Sequence, residues 1–149
     1  MLTHDEVKQS ADFLRGKLPF IPEIGIVLGS GLGPLAEEIE QPVCIPYGDI
    51  PHFRVSTAPD HAGRLVCGTL SGHRIVCMQG RLHGYEGYAP DEVAYPVYVL
   101  KELGVKALVV TNASGGINTG YHASDFMLIT DHINMTGKSP LTGKNDPEL

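Results

Sequence analysis

The sequence IGIVLGSGLG, residues 24–33, joins a continuous apolar run of strand length to a loop with three glycines. Pro34 comes next, and residues 34–39 resemble the start of a helix, because proline suits the first helical turn. Glycines allow several backbone N–H groups to face one anion, and a helix N-terminus adds positive potential. The stretch therefore predicts an α/β fold with a phosphate-binding loop, in which the Ser30 hydroxyl is a further donor.

Two well-known nucleotide motifs are not matched by this loop. The dinucleotide fingerprint requires a third glycine where Pro34 stands, and a P-loop requires Gly-Lys-Ser/Thr at its end. The loop is therefore a general anion cradle, and a tight strand-to-helix turn without a ligand is the alternative. A nucleotide-binding module is a further hypothesis, but it rests on this loop alone.

The rest of the chain alternates amphipathic helices with apolar strands. Thr3 and Glu6 form a capping box that predicts a helix over residues 4–15, and Asp91 predicts the cap of a second helix that ends at Gly104. The predicted strands are 65–70 and 74–78, paired as a hairpin around Ser71-Gly72, then 105–111 and 126–130. Residues 41–62 predict an irregular connection with a short strand near Cys44. Alternation of this kind predicts an α/β domain with a largely buried sheet.

Composition excludes several classes of protein. The 149 residues predict a single domain, and a formal net charge of -6 disfavours a nucleic-acid surface. There is no apolar run of about 18 residues, so no membrane span is predicted. The polar N-terminus lacks the features of a signal peptide, and the three cysteines form no CxxC pair, so we expect a cytoplasmic protein with reduced thiols.

Two catalytic classes fit the sequence poorly. The seven histidines are scattered, and none pairs with a second histidine or a cysteine at the spacing of zinc ligands, so no metal is expected. Ser30 lacks the G-x-S-x-G context of a hydrolase nucleophile, since Leu28 stands where the first glycine belongs.

The richest cluster of chemical groups is GRLHGYEGY, residues 80–88, directly after the predicted strand 74–78. It supplies a cation, an imidazole, a phenol and a carboxylate within six residues, namely Arg81, His83, Tyr85 and Glu86. This mixture suits an anionic, hydroxyl-bearing ligand, whereas a solvated loop with paired charges is the alternative. Two further segments, 61–64 and 112–116, would meet it only if their strands are neighbours, because ligands of α/β sheets gather at the carboxyl ends of strands.

Together these segments resemble one family, the trimeric, low-molecular-mass purine nucleoside phosphorylases. The resemblance is carried, in order, by LGSGLG (28–33), HAGRLV (61–66), GRLHGYEGY (80–88), TNASGG (111–116) and DHIN (131–134). The sister methylthioadenosine phosphorylases share several of these segments, but residues 85–88 fit the purine nucleoside enzymes better. Ser114 departs from the alanine common in the family, and being small it is expected to matter little.

The resemblance implies a three-layer fold with a central mixed sheet between helices, and reversible phosphorolysis of purine ribo- and deoxyribonucleosides to a free base and a sugar 1-phosphate. It implies that phosphate is bound by Ser30, His61, Arg81, His83 and the backbone of Ala113. Tyr85 would contact the ribose, while His83 and Glu86 would be catalytic, with Glu86 orienting His83. No cofactor is implied, because phosphate is a co-substrate, and the expected assembly is a homotrimer.

The family's purine-binding glutamate and asparagine have no counterpart in this sequence. Residues 134–149 have loop composition, and we therefore expect residues 1–149 to be the N-terminal part of one phosphorylase domain, with an incomplete fold. The chain would carry the phosphate and ribose half of the site and be inactive alone. A non-catalytic remnant that binds only phosphate remains the alternative.

Overall fold

A single mixed sheet of five strands organises the part of the chain that the structure describes. The computed structural model describes residues 2–56, 62–143 and 146–149. Its elements are α1 (His4–Arg15), β1 (Ile24–Leu28), a 3₁₀ helix (Gly33–Glu38), β2 (Glu40–Pro46), a short 3₁₀ turn (Tyr47–Asp49), β3 (Arg64–Leu70), β4 (His73–Gln79), a second 3₁₀ turn (Gly84–Glu86), α2 (Pro90–Leu103) and β5 (Ala107–Val110). The strands lie side by side in the order β2-β3-β4-β1-β5.

The direction of the strands decides which loops meet. β1 pairs in parallel with both β4 and β5, so Leu28 lies beside Gln79, and Val27 beside Val110. β3 runs antiparallel to β4, and this brings the first residue of β3, Arg64, opposite Gln79. The ends of β1, β4 and β5 and the start of β3 therefore share one edge of the sheet.

Apolar side chains cover both faces of the sheet and make three layers. On one face, α1 and α2 pack over the strands, with Leu14 and Leu100 among the buried residues of one core. On the other face, the 3₁₀ helix after β1 places Ala36 over a second core that contains Val66 and Cys77. The predicted three-layer arrangement, with a mixed sheet flanked by helical segments, is confirmed.

Two local predictions are confirmed in detail. α1 begins after Thr3, whose hydroxyl accepts a hydrogen bond from the Glu6 N–H and donates one to the Glu6 carboxylate. β3 and β4 form the predicted hairpin, and both turn residues are left-handed, Ser71 at φ 50° and Gly72 at φ 78°. Such a turn matches the right-handed twist of the two strands.

The prediction that Asp91 caps α2 is wrong. The helix begins at Pro90, and the residue before it is Ala89. The Glu92 carboxylate accepts a hydrogen bond from the Ala89 N–H at 2.9 Å, and proline is preorganised for the first helical position, so the helix begins one residue earlier. Gly104 ends α2 in the left-handed conformation, as predicted. No helix in the part of the chain that the structure describes is long and apolar enough to cross a bilayer.

The segment predicted as an irregular connection is more ordered than expected. Residues 40–46 form a complete strand, β2, with a register shift between Glu40 and Val43. The shift explains why the sequence shows no clean period of two, since an irregularity moves later side chains to the other face. Residues 57–61 of this segment lie outside the described residues.

The last two predicted strands differ most from the structure. The strand predicted over 105–111 is reduced to β5, four residues that are all exposed rather than buried. The strand predicted over 126–130 is wrong, since these residues have no regular structure and Phe126 is 98 % exposed. A strand needs a hydrogen-bonded neighbour, and the sheet in the described residues stops at β5.

Candidate active site

Three of the four predicted loop segments meet at the shared edge of the sheet. The glycine loop 29–33 follows β1, the segment 80–88 follows β4, and residues 111–116 follow β5. Because these strands are immediate neighbours, the segments lie side by side. The fourth, 61–64, is described only from residue 62; His61 lies outside the described residues, and its phosphate role stays a prediction.

The glycine loop packs tightly against the end of the neighbouring strand. A Cβ at Gly29 would lie 2.5 Å from the Thr111 carbonyl oxygen, a distance that no side chain tolerates. Gly31 adopts φ 83°, which favours glycine, and exposed Ser30 lies between these two glycines. The helix that follows is a 3₁₀ helix of six residues, so a helix macrodipole contributes little, and the loop's own N–H groups are the available donors.

Arg81 is the cation of the site, and it is half-buried between two of the loops. Its Nη1 donates to the Thr111 carbonyl oxygen at 3.1 Å, and its Nε donates to Nε2 of His83 at 3.3 Å. Arginine remains protonated at all ordinary pH values, so Nε2 of His83 must be the acceptor. The histidine therefore carries its proton on Nδ1.

His83 and Glu86 form a pair held within one short turn. Nδ1 of His83 donates to Oε1 of Glu86 at 3.1 Å, and the His83 backbone N–H donates to the same oxygen at 2.8 Å. The Ser56 hydroxyl donates to Oε2 of Glu86 at 3.2 Å. The Glu86 side chain is only 2 % exposed whereas that of His83 is 19 % exposed, so a buried carboxylate fixes the orientation of a more accessible imidazole.

Tyr85 lies on the solvent side of this pair. Its ring stacks on the His83 ring with centroids 4.6 Å apart and an angle of 17° between the planes, while the residue is 78 % exposed. Asn112 and Ala113, after β5, are also exposed. These groups form the open side of the site, where a bound molecule would meet them.

Four residues of the site were missed by reasoning from the sequence. Thr111 and Gln79 bond to the two ends of the glycine loop, Ser56 bonds to Glu86, and the hydroxyl of buried Tyr47 donates to the Gly80 carbonyl oxygen at 2.6 Å. Thr111 and Gln79 have a usable signal, because each is a polar residue at the end of an apolar strand. Ser56 and Tyr47 have none, since they reach the site from a segment without periodicity.

The described residues hold no group of three or more His, Cys, Asp or Glu side chains arranged to bind a metal ion. This edge of the sheet offers hydrogen-bond donors and acceptors. Backbone N–H groups, a guanidinium and an imidazole–carboxylate pair suit the binding of an oxyanion beside a hydroxyl-bearing group.

A comparison with known protein families matches the part of the chain that contains these loop segments. The family model of the phosphorylase superfamily matches residues 23–148, a range that contains the glycine loop, the 80–88 segment and the residues after β5. The chain therefore belongs to the phosphorylase superfamily.

Within that superfamily, several purine nucleoside phosphorylases are similar to this chain over most of its length. Purine nucleoside phosphorylase 1 of Bacillus subtilis (strain 168) is 55 % identical over 145 residues, which make up 97 % of this chain and 54 % of the relative. The enzyme of Rattus norvegicus is 46 % identical over 147 residues, 97 % of this chain and 51 % of its own length. These names do not favour a methylthioadenosine phosphorylase relative.

A solved structure shows the same fold. Isoform 2 of purine nucleoside phosphorylase from Schistosoma mansoni, in complex with cytosine and ribose-1-phosphate, aligns with a TM-score of 0.89 at 46 % identity. The alignment covers 96 % of this chain and 51 % of that one. The chain thus spans about half the length of the relatives that it matches, consistent with an incomplete fold.

Proposed function

We propose that this chain carries the phosphate and ribose half of a purine nucleoside phosphorylase site. The reaction is reversible phosphorolysis, in which a purine ribo- or deoxyribonucleoside and phosphate give a free purine and the sugar 1-phosphate. The observation that carries the proposal is the convergence of the glycine loop, Arg81 and the His83–Glu86 pair on adjacent strand ends. The Schistosoma mansoni relative that binds ribose-1-phosphate shares this fold.

Phosphate is held, in this proposal, by Ser30, His61, Arg81, His83 and the backbone N–H of Ala113. Arg81 presents a planar fork of donors that matches two phosphate oxygens, and the glycine loop adds neutral N–H groups. These donors concentrate positive potential at one edge of a protein whose net charge is -6. Local donors decide phosphate binding, whereas the net charge governs solubility and long-range attraction.

Phosphate then acts on the ribose as nucleophile and as counter-charge. As the C–N glycosidic bond breaks, its electron pair passes to the purine nitrogen, and the sugar develops oxocarbenium character. A phosphate oxygen held below C1′ forms the new C–O bond. Holding both reactants at this distance removes much of the entropic barrier. The exposed phenol of Tyr85 is placed to contact a ribose hydroxyl.

The His83 tautomer suits a proton transfer from phosphate. In the structure Arg81 Nε donates to the Nε2 lone pair of His83, while Nδ1–H donates to Glu86. Once the guanidinium donates to phosphate instead, this lone pair can accept the proton of monohydrogen phosphate, which makes the nucleophile more strongly charged. The buried Glu86 carboxylate would stabilise the resulting imidazolium until it returns the proton to solvent. The departing purine takes up one proton, so that protons balance over one turnover. His83 is therefore the proposed base, and Glu86 orients it and stabilises its charge.

The purine side of the site requires residues that this sequence does not contain. We propose that residues 1–149 form the N-terminal part of a single domain. In the relatives, the second half of the chain would supply the purine contacts and further strands. A homotrimer is the proposed assembly, supported by the family resemblance. The cytoplasm is the proposed location, supported by the free thiols of Cys44, Cys67 and Cys77. No cofactor is proposed.

A chimera tests the function directly. These 149 residues would replace the corresponding half of the Bacillus subtilis relative, which is 55 % identical over this region. Release of hypoxanthine from inosine would be measured with and without phosphate. We expect phosphate-dependent release by the chimera and none by the 149-residue chain alone.

Three other outcomes would contradict this proposal. Equal release of hypoxanthine without phosphate would indicate a hydrolase. A folded chimera that binds inorganic phosphate without turnover would favour the non-catalytic remnant. Tight binding of a dinucleotide, but not of phosphate, would favour the nucleotide-binding module that the glycine loop alone suggested.

A further inference from the structure

Side chains from the two flanking strands hold both ends of the glycine loop. The loop runs from Gly29 to Gly33, and its middle residues Ser30 and Gly31 are exposed. A turn with three glycines has many accessible conformations when nothing restrains it. The two restraints lie at the positions where the loop leaves β1 and enters the 3₁₀ helix.

The first restraint is Thr111, which bonds to the beginning of the loop. The Gly29 N–H donates to the Thr111 hydroxyl at 2.8 Å, and the same hydroxyl donates to the Val27 carbonyl oxygen at 2.9 Å. The single O–H donor of the hydroxyl is therefore used, and this fixes its orientation. The Thr111 backbone carbonyl accepts from Arg81 at 3.1 Å, so one residue fixes both the loop and the guanidinium.

The second restraint is Gln79, which bonds to the end of the loop. Its amide nitrogen donates to the Gly33 carbonyl oxygen at 3.0 Å. Its amide oxygen accepts from Nε of Arg64 at 2.7 Å, and this fixes which way the amide faces. Gln79 is the last residue of β4, so the bond joins the loop to the strand that leads into Arg81.

We propose that Thr111 and Gln79 are positioning residues that clamp the glycine loop in the shape that accepts phosphate. The proposal rests on the proposed function, because it assigns the loop to phosphate. Neither side chain has to touch the anion. The clamp removes loop conformations before binding, so less conformational entropy is lost when phosphate is bound. Because Thr111 also holds Arg81, the loop donors and the guanidinium keep a fixed spacing.

Isosteric replacement tests the clamp. Thr111→Val keeps the shape of the side chain but leaves the Gly29 N–H without its acceptor, and Gln79→Met removes both amide bonds. For the 149-residue chain titrated with inorganic phosphate in a calorimeter, we expect each variant to raise the Kd about threefold to tenfold, the range of one or two net hydrogen bonds. Thr111→Ser retains the hydroxyl and should restore most of the affinity.

A matched control separates positioning from loss of stability. Tyr95→Phe removes a hydroxyl that bonds to Ser10 and to the Glu6 carbonyl oxygen, in the core under the helices and not in the second core beside the glycine loop. It should lower the melting temperature and leave phosphate affinity unchanged. The proposed clamp would be contradicted if Thr111→Val had the phosphate affinity of the unsubstituted chain, or if Tyr95→Phe lowered that affinity equally.

Nuclear magnetic resonance keeps the test independent of phosphate binding. In ¹⁵N spectra of the free chain, Thr111→Val should shift the amide signals of Gly29 and Gly31, and Thr111→Ser should largely return them. If the unsubstituted chain bound no phosphate, the proposed function would fail, while shifted signals would still support the clamp. Unmoved signals in Thr111→Val would overturn the clamp whatever the phosphate result.

Discussion

Arg81 is the residue on which phosphate binding is expected to depend most. Arg81→Ala removes the forked donor, and we expect phosphate affinity to fall by more than about 1.5 kcal/mol, roughly tenfold, the lower range for a charged hydrogen bond. Calorimetric titration of the chain with inorganic phosphate measures this change in affinity. Arg74→Ala is the matched control, because Arg74 lies near the start of β4, paired with Thr69, whereas Arg81 follows the end of that strand. An unchanged affinity in Arg81→Ala would refute its role.

Glu86 is expected to affect turnover more than binding. Glu86→Gln keeps the side-chain shape but removes the charge that favours the Nδ1–H tautomer of His83, so Nε2 no longer accepts efficiently. In the active chimera we expect kcat to fall by at least about tenfold while the melting temperature changes little, by analogy with tautomer-fixing carboxylates elsewhere. A chimera with Glu86→Gln and full turnover would remove Glu86 from the mechanism.

The buried thiols make stability depend on alkaline pH. Burial raises the pKa of Cys67 and of Cys77 to about 11, from an ordinary 9.0, with mutual repulsion a smaller cause for Cys67. The folded state thus prefers the protonated thiols, and the unfolded state loses its protons first. Their contribution to stability is fully present below pH 9 and is lost as pH rises from about 9 to about 11.

We therefore expect the free energy of unfolding, measured in urea at several pH values, to fall across this window. Burial also raises the pKa of Tyr47, which adds to the fall above its ordinary value of 10.0. The double variant Cys67→Ala/Cys77→Ala should be less stable at neutral pH but show a shallower fall. An equal slope in the double variant would show that the thiols are not the cause.

Among the elements, β3 packs tightly at Gly68 against the segment that leads into β2. A Cβ there would lie 2.4 Å from Cγ2 of Ile39 and 2.5 Å from the Glu40 carbonyl oxygen, at the register shift of β2. Gly68→Ala must push a backbone segment away, so we expect a loss of about 1–3 kcal/mol, the usual cost of overpacking. Gly33→Ala is the control, because its Cβ would meet nothing within 4 Å. Urea denaturation compares the two, and equal stability would contradict the predicted clash.

The elements show which parts of this fold could be read from the sequence. Local signals specified α1 and the β3–β4 hairpin, because a capping box and a two-residue turn act over a few neighbouring residues. The register shift in β2 hid its alternation, and residues 126–130 had strand composition without a neighbouring strand. The motifs predicted Arg81 and His83 as site residues, and the structure places their side chains in contact. The roles of Thr111 and Gln79 depend on strand order, which residue composition does not encode.

At the scale of the whole molecule, most of the large exposed apolar residues in the described part of the chain lie from β5 onward. β5 lies at the edge of the sheet in the described residues, with Val109 48 % and Val110 60 % exposed. Beyond it, Ile117, Phe126 and Leu128 are between 89 and 99 % exposed. Isolated exposed apolar residues are normal, but a strand edge next to such a segment favours association with other chains.

The 149-residue chain is therefore expected to self-associate and to enhance the fluorescence of an apolar dye such as anilinonaphthalene sulfonate. The physical reason is that apolar burial is favourable at about 25 cal/mol per Å², while an open strand edge also offers unpaired backbone groups. Analytical ultracentrifugation across a concentration series measures the association. Val110→Lys places a charge on the edge and should weaken it, whereas Val97→Lys, on an exposed position of α2, should not. If the chain stays monomeric and does not enhance the fluorescence of the dye, this surface is covered by the chain itself.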